Sequence, residues 1–203
     1  MRQTRNKAKK KVRTQRPAGY LGERQFQNKA KEILDDLYQD VVVQWQPFKG
    51  QGPRIYAPVV DIGVGPFAVN ERYEDRYTEL LEHTKDFIEL LIAKHNENVE
   101  HLEPRTSFAD ILHFNENSRC LLCIEIEDSG SRKHCLGNLI NASALGRIGV
   151  LVARSERAMR VFVRQRVYLR FLARVGKNTF RTANALVLTA DQFNECLNEI
   201  EPG

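Results

Sequence analysis

Apolar and polar residues recur along the chain with a period that changes from helical to strand-like and back. Residues 23–39 (ERQFQNKAKEILDDLYQ) place apolar side chains at helical spacing, and residues 71–97 predict one long amphipathic helix. Between them lie two runs rich in β-branched residues, VVVQWQPF at 41–48 and IYAPVVDIGVGPFAV at 55–69. These runs predict strands, the second of them broken by glycines and prolines.

Strands and helices alternate more regularly in the second half of the chain. CLLCIEIE at 120–127 predicts a strand, GNLINASALG a short helix of small residues, and IGVLVAR another strand. Residues 156–175 predict an arginine-rich helix, ALVLT a last strand, and ADQFNECLNEI a closing helix with Asp191 near its N-cap. This order predicts an α/β fold in which a mixed central sheet is flanked by helices.

The composition is that of a globular domain. The chain has 203 residues, of which 42% are apolar, so it can bury a core without disulfides or a structural metal. No apolar run approaches the roughly 18 residues of a membrane span, and no secretory segment follows Met1. We therefore expect a cytoplasmic protein that does not enter a membrane.

The net charge of +5 is unevenly distributed. Eight of the 31 lysines and arginines lie in residues 1–16, which contain no acid, so the rest has 23 basic and 26 acidic residues. We interpret residues 1–17 as a disordered basic tail, which either adds affinity for nucleic acid or only improves solubility. The remainder, 18–203, is predicted to be one domain with a core at about 22–153 and a C-terminal extension at 154–203.

Carboxylates interrupt two of the predicted core strands. Glu125 and Glu127 lie two apart in 120–127, so they share a face, with Cα atoms about 6.5–7 Å apart. Asp61 stands inside a run of valines and isoleucine, where an unpartnered carboxylate is costly. If the strands are neighbours, the three acids converge, and a divalent cation, Mg²⁺ or Mn²⁺, would relieve their repulsion. The alternative is that they decorate the solvent ends of strands.

These residues carry a resemblance to a known family. Pro58-Val-Val-Asp61 and Glu125-Ile-Glu127, within this order of helices and strands, resemble the PD-(D/E)xK superfamily of restriction-endonuclease-like nucleases over roughly residues 22–153. The resemblance implies a restriction-endonuclease-like core in which Asp61 and Glu125 bind Mg²⁺. Glu127 stands where the family usually has lysine, a variant known in some restriction endonucleases, and the proline is three residues before Asp61 rather than adjacent.

One basic side chain is a candidate for placing positive charge near the acids. Lys133 follows the acidic strand and could stabilise charge that develops on a scissile phosphate or an attacking hydroxide, unless it is an ordinary loop lysine. Asn138 and Asn141 lie three apart on one helical face and could contact a phosphate, although such asparagines more often bond locally.

The arginine-rich helix has six arginines in two stripes. The first has i, i+3, i+7 spacing and the second has i+4 steps; they are Arg157, Arg160 and Arg164, and Arg166, Arg170 and Arg174. Such a concentration of charge on an otherwise acidic domain is typical of phosphate binding. The alternative is that the arginines pair with the acidic helix predicted at 71–97.

The combined pattern predicts a metal-dependent nuclease, a hydrolase of phosphodiester bonds. Asp61 and Glu125 would bind Mg²⁺ or Mn²⁺, Glu127 would bind metal or position water, and Lys133 would supply positive charge. Arg157, Arg160, Arg164 and Asn138 would hold the nucleic acid, which we expect to be DNA. The alternative function is a catalytically silent nucleic-acid-binding or scaffold protein with the same fold, and a homodimer is compatible with either.

The basic tail gives the first testable prediction. Deleting residues 1–16 is expected to weaken nucleic-acid binding and to flatten its salt dependence, because fewer counterions are then released on binding. Fluorescence anisotropy of a labelled oligonucleotide across a salt titration measures both quantities. Unchanged affinity at every salt concentration would assign the tail to solubility alone.

Overall fold

The computed structural model describes residues 21–49, 58–68, 70–177 and 181–200, so the predicted basic tail lies outside the described residues. The elements within these ranges are, in chain order, α1 (Glu23–Leu37), β1 (Val41–Trp45), β2 (Val60–Val64), α2 (Glu74–His83), α3 (Lys85–Val99), α4 (Phe108–Leu112), β3 (Cys120–Glu127), α5 (Arg132–Leu145), β4 (Gly146–Ala153), α6 (Glu156–Arg174), β5 (Ala185–Thr189) and α7 (Ala190–Asn198).

The five strands form one mixed sheet in the order β1-β2-β3-β4-β5. The first three strands run antiparallel to one another, and β3, β4 and β5 run parallel. Helix α5 makes the crossover between β3 and β4, and α6 makes the one between β4 and β5. The predicted α/β class with a mixed central sheet is confirmed.

Helices cover both faces of the sheet. On one face, α1, α3 and α7 contribute Phe26, Leu91 and Phe193 to a core cluster. On the other face, α5 and α6 contribute Leu139 and Phe162 to a second cluster. Because β5 completes the sheet and α7 completes one helical layer, the segment predicted as an extension belongs to the same folded unit.

Every residue of β3 and β4 is buried. Each of these strands has a neighbour on both sides and helices on both faces, which explains why their sequences read as nearly continuous apolar runs. The two glutamates of β3 are therefore held in the centre of the fold rather than at its surface.

The long helix predicted at 71–97 is wrong, because the chain breaks at Thr84 into α2 and α3. The Thr84 hydroxyl donates to the Leu80 carbonyl at 2.7 Å and accepts from the Tyr38 hydroxyl at 3.0 Å. Thr84 is buried, so this bend places the α2–α3 junction against Tyr38, the residue that follows α1. A hydroxyl that bonds back to a carbonyl one turn earlier is a known cause of helix bending.

Side-chain caps begin the last two helices. The Ser155 hydroxyl accepts from the Ala158 N–H at 3.1 Å, and the Thr189 hydroxyl accepts from the Gln192 N–H at 3.1 Å. Thr189 therefore caps α7, and Asp191 lies near this N-cap, in the first turn, as predicted.

The described helices include none that is long and apolar enough to cross a membrane. The four cysteines are buried free thiols in the core, namely Cys120, Cys123, Cys135 and Cys196.

A buried ion pair fixes α6 against the rest of the domain. Glu103 lies in the segment after α3 and is 8% exposed, and its carboxylate contacts the guanidinium of the fully buried Arg166. Arg170, one turn further on, approaches the same oxygen at 2.8 Å. Arg166 also donates to the Ala185 carbonyl of β5 at 2.9 Å. These contacts join the segment after α3 to α6 and β5.

Glu103→Ala is expected to destabilise the domain by about 3–5 kcal/mol, because it leaves the buried Arg166 charge uncompensated. Urea denaturation of the wild type and the variant measures the difference. The matched control is Arg164→Ala, which removes an exposed guanidinium of the same helix and should change stability by less than about 0.5 kcal/mol. Equal effects for the two variants would contradict the assignment.

Candidate functional site

The pairing of β2 with β3 brings two carboxyl groups together. Ile62 pairs with Ile124 in the antiparallel register, so Asp61 and Glu125 are the next residues opposite each other. Side chains directly opposite in such a pair have Cβ atoms about 4.5–5.5 Å apart. Glu125 is only 3% exposed, whereas Asp61 is half-buried, so the pair can be reached from the Asp61 side.

Side-chain amides from three different elements support this pair. Gln27 of α1 and Gln44 of β1 donate to Asp61 Oδ1 at 2.9 and 3.2 Å. Asn141 of α5 donates to Glu125 Oε1 at 3.2 Å. The Ile126 N–H donates to the other Asp61 oxygen at 2.7 Å. The two carboxyl groups therefore lie among donors that favour negative charge.

Burial outweighs these donors in setting the protonation of the pair. Burial raises the pKa of Asp61 to about 6, although the hydrogen bond from Ile126 acts in the opposite direction. Burial, and next the charge of Asp61, raise the pKa of Glu125 to about 8. Two carboxyl groups so close together cannot both ionise cheaply, so the pair holds one proton near neutral pH, on Glu125.

Gln44 reaches Asp61 through an unusual backbone conformation. Its φ is 57°, in the left-handed region that non-glycine residues rarely adopt, although it lies in the middle of β1. Val43 and Trp45 on either side remain paired with β2. Strain of this kind costs on the order of 1–3 kcal/mol and is concentrated at functional sites. The left-handed conformation therefore directs the side-chain amide of Gln44 towards Asp61.

Glu127 has a different role from the two paired acids. Its Oε1 accepts from the Ser129 N–H at 2.7 Å, the Ser129 hydroxyl at 2.5 Å and the Gly130 N–H at 3.1 Å. Its Oε2 lies 3.9 Å from His134 Nδ1. Glu127 therefore stabilises the turn that leads from β3 into α5, with one oxygen occupied by that turn.

Two residues predicted to act at the site do not contact it. Lys133 is exposed in the first turn of α5, and Asn138 is half-buried one turn later. Neither bonds to Asp61, Glu125 or Glu127 in the described ranges; the contacts come from their neighbours His134 and Asn141. Asn138 and Asn141 were predicted to share one helical face. Of these two residues, Asn141 is the one that contacts the carboxylate pair.

The two predicted arginine stripes have opposite fates. Arg166 and Arg170 pair with Glu103, which lies in the segment after α3 rather than within the helix predicted at 71–97. Arg157, Arg160 and Arg164 are exposed on the outer face of α6. Arg160 pairs with Glu156 one turn before it on the same helix. The first stripe is thus available for a ligand. In the second, Arg166 and Arg170 are structural, whereas Arg174 is exposed and its guanidinium lies 5.7 Å from the centre of the Phe171 ring.

The described residues contain no group of three or more histidines, cysteines or carboxylates placed to hold a metal ion. The predicted three-acid cluster is therefore reduced to the Asp61–Glu125 pair, because Glu127 turns to the adjacent loop. Mg²⁺ usually keeps several waters and binds through one or two carboxylates together with substrate phosphates. The buried Glu125 and the half-buried Asp61 supply the two carboxylates that such an ion uses.

Gln27 and Gln44 were missed by the sequence interpretation. Gln27 offered a signal, because it lies three residues before Ala30 and seven before Leu34, on the buried stripe of α1. A polar residue on such a stripe needs a buried partner. Gln44 offered no signal in the sequence, because its hydrogen bond to Asp61 depends on a left-handed backbone conformation that its residue type does not predict.

Comparison with protein-family profiles, curated protein sequences and solved structures found no match to this chain. The interpretation of the site therefore depends on its own geometry.

The raised pKa values predict that, in EDTA, stability falls as pH rises. The contribution of Asp61 and Glu125 is fully present below their ordinary values of 3.8 and 4.5 and is lost as pH passes about 6 and about 8. Glu125→Gln should therefore become progressively more stable than wild type between about pH 5 and about pH 8. Denaturation midpoints at several pH values measure the difference.

His95 acts in the opposite sense, since burial lowers its pKa to about 3, but it is common to both proteins and cancels in the comparison. Glu32→Gln, which neutralises an exposed acid of α1, is the matched control and should show no such trend. A stability difference between Glu125→Gln and wild type that is the same at every pH would be incompatible with a proton-holding pair.

Proposed function

We propose that this protein is a Mg²⁺- or Mn²⁺-dependent nuclease that hydrolyses phosphodiester bonds in nucleic acid, with DNA as the expected substrate. The observation that carries the proposal is the Asp61–Glu125 pair, two acids forced together by sheet register inside the fold. A purely structural pair would be more stable with one acid replaced by an amide. Binding of a cation during function would explain why both acids are present.

The arrangement of elements supports the same proposal. From α1 to β4 the chain runs through a helix, two strands, the helices α2 to α4, the strand β3, the crossover helix α5 and the strand β4. The strands β1 to β3 are antiparallel and carry both acids, and β4 is parallel to β3. This is the order on which the resemblance to restriction-endonuclease-like nucleases depends. In that interpretation Asp61 and Glu125 correspond to the residues that hold the metal.

Each residue near the pair has a distinct task in this proposal. Asp61 and Glu125 hold the cation, and Gln27, Gln44 and Asn141 fix the orientation of their oxygens. A divalent cation bound there would polarise a phosphoryl oxygen and lower the pKa of an attacking water. The exposed arginines of α6 hold the phosphate backbone: Arg157, Arg160 and Arg164.

One observation favours the second candidate function, a nucleic-acid-binding or scaffold protein without catalysis. The family position usually held by lysine is Glu127, whose Oε1 is occupied by the turn at Ser129 and Gly130. In the described part of the chain, Lys133 does not replace it at the pair. A protein of this kind would retain the basic surface and bind metal without cleaving.

Metal binding and cleavage separate these candidates. A fluorescent DNA substrate with Mg²⁺ or Mn²⁺ should be cleaved by wild type and not by Asp61→Asn or Glu125→Gln, because either change removes a cation ligand. Mg²⁺ at about a hundredfold excess over its Kd should stabilise wild type by about 2.7 kcal/mol and the variants by much less. Melting curves in EDTA and in Mg²⁺ measure this.

The control is Asp36→Asn, which removes an exposed acid of α1 and should leave both readouts unchanged. Metal-dependent stabilisation without cleavage would select the non-catalytic candidate. The absence of both would reject a metal site at this pair.

A further inference from the structure

The exposed face of α6 extends beyond its arginines. Arg157, Arg160 and Arg164 are followed at i+11 and i+14 by Tyr168 and Phe171, so all five share one helical face. Tyr168 is 57% exposed and Phe171 is 48% exposed, which is unusual for aromatic side chains. Positive charge and aromatic rings therefore follow one another along a single row.

A cleft of about 410 Å³ lies beside this row, between α6 and the start of α5. Its lining contains four arginines and no carboxylate; the residues are Gly130, Arg132, Arg157, Arg160, Val161, Arg164, Gln165 and Tyr168. The volume lies within the usual range for small-ligand clefts, about 300–1,000 Å³. The cleft therefore suits an anion with an attached apolar or aromatic group.

The wall of the cleft is a built structure. Gln165 of α6 donates to the Arg132 carbonyl at 2.6 Å, which joins the two helices. Gly130 has a φ of 60° and packs so closely that an added Cβ would lie 2.7 Å from Arg157 Cγ. The Gly130 N–H is bonded to Glu127. One turn thus connects the cleft to the strand that carries Glu125.

We infer that this cleft and the Tyr168–Phe171 pair bind an unpaired nucleic-acid strand, with arginines on the phosphates and aromatic rings stacked on the bases. Bases in a duplex are stacked on one another and offer no free face, whereas those of a single strand do. The inference rests on the proposed function and narrows its substrate to nucleic acid with a single-stranded segment.

A second copy of this chain is the competing occupant. In a two-fold symmetric contact the same patch lies on both subunits, so the arginine rows would face each other. Only Arg160 of the row has an acidic partner, Glu156, within the described residues. Repulsion between the unneutralised arginines disfavours such a dimer, and a polyanion satisfies them.

The test measures binding without cleavage. Anisotropy in EDTA compares a labelled oligo-dT with a duplex of equal length, using the full chain and Tyr168→Ala, Phe171→Ala and Tyr168→Trp. Loss of one stacked ring should weaken oligo-dT binding about tenfold, leave duplex binding nearly unchanged, and be rescued in Tyr168→Trp. Leu102→Ala removes an equally exposed apolar side chain elsewhere and is the matched control.

Two outcomes overturn the inference. One is equal weakening of single-strand and duplex binding, or none, in Tyr168→Ala and Phe171→Ala. The other is a dimer in sedimentation that these substitutions dissociate while oligo-dT affinity stays unchanged. The binding assay needs no metal, so the two hypotheses can fail separately. Selectivity for oligo-dT without cleavage would reject only the proposed nuclease activity. Cleavage without selectivity for oligo-dT would reject only the stacking site.

Discussion

The antiparallel register of β2 and β3 is the constraint on which the site depends. It places Asp61 opposite Glu125 in an interior where like charges across a strand pair are destabilising. The surrounding chain compensates from several directions, with amides from α1, β1 and α5 and one backbone N–H. A shift of the register by one residue would separate the pair and leave these donors without their acceptors.

The turn after β3 links the strand that carries the carboxylate pair to the exposed arginines of α6 over a few residues. Glu127 holds the turn, Gly130 allows close approach to α6, and Arg157 begins the exposed basic row. Because the links are short hydrogen bonds and packed backbone, the relative position of the carboxylate pair and the cleft is set by the fold itself. A flexible loop would not provide such alignment.

Features with a local cause were predictable from sequence, and those with a distant cause were not. Glu125 and Asp61 were found because each breaks an apolar strand pattern. The break at Thr84 was missed, since the burial of its hydroxyl against Tyr38, 46 residues earlier, does not show in the local pattern. The left-handed Gln44 and the burial of Arg166 likewise depend on partners that periodicity does not reveal. The α/β class followed from the alternation of elements.

The contact of Glu103 with Arg166 and Arg170 has a consequence for the packing of α6. The six arginines of α6 lie on one half of the helix and most of its buried apolar residues on the other, so apolar packing sets which half faces the sheet. Arg166 and Arg170 lie at the edge of the arginine half, and Glu103 supplies the negative charge they need there, while Arg157 and Arg164 remain exposed. A buried residue some 60 positions earlier in the chain therefore lets a strongly basic helix pack closely against the sheet, because it neutralises the arginine that packing carries into the interior.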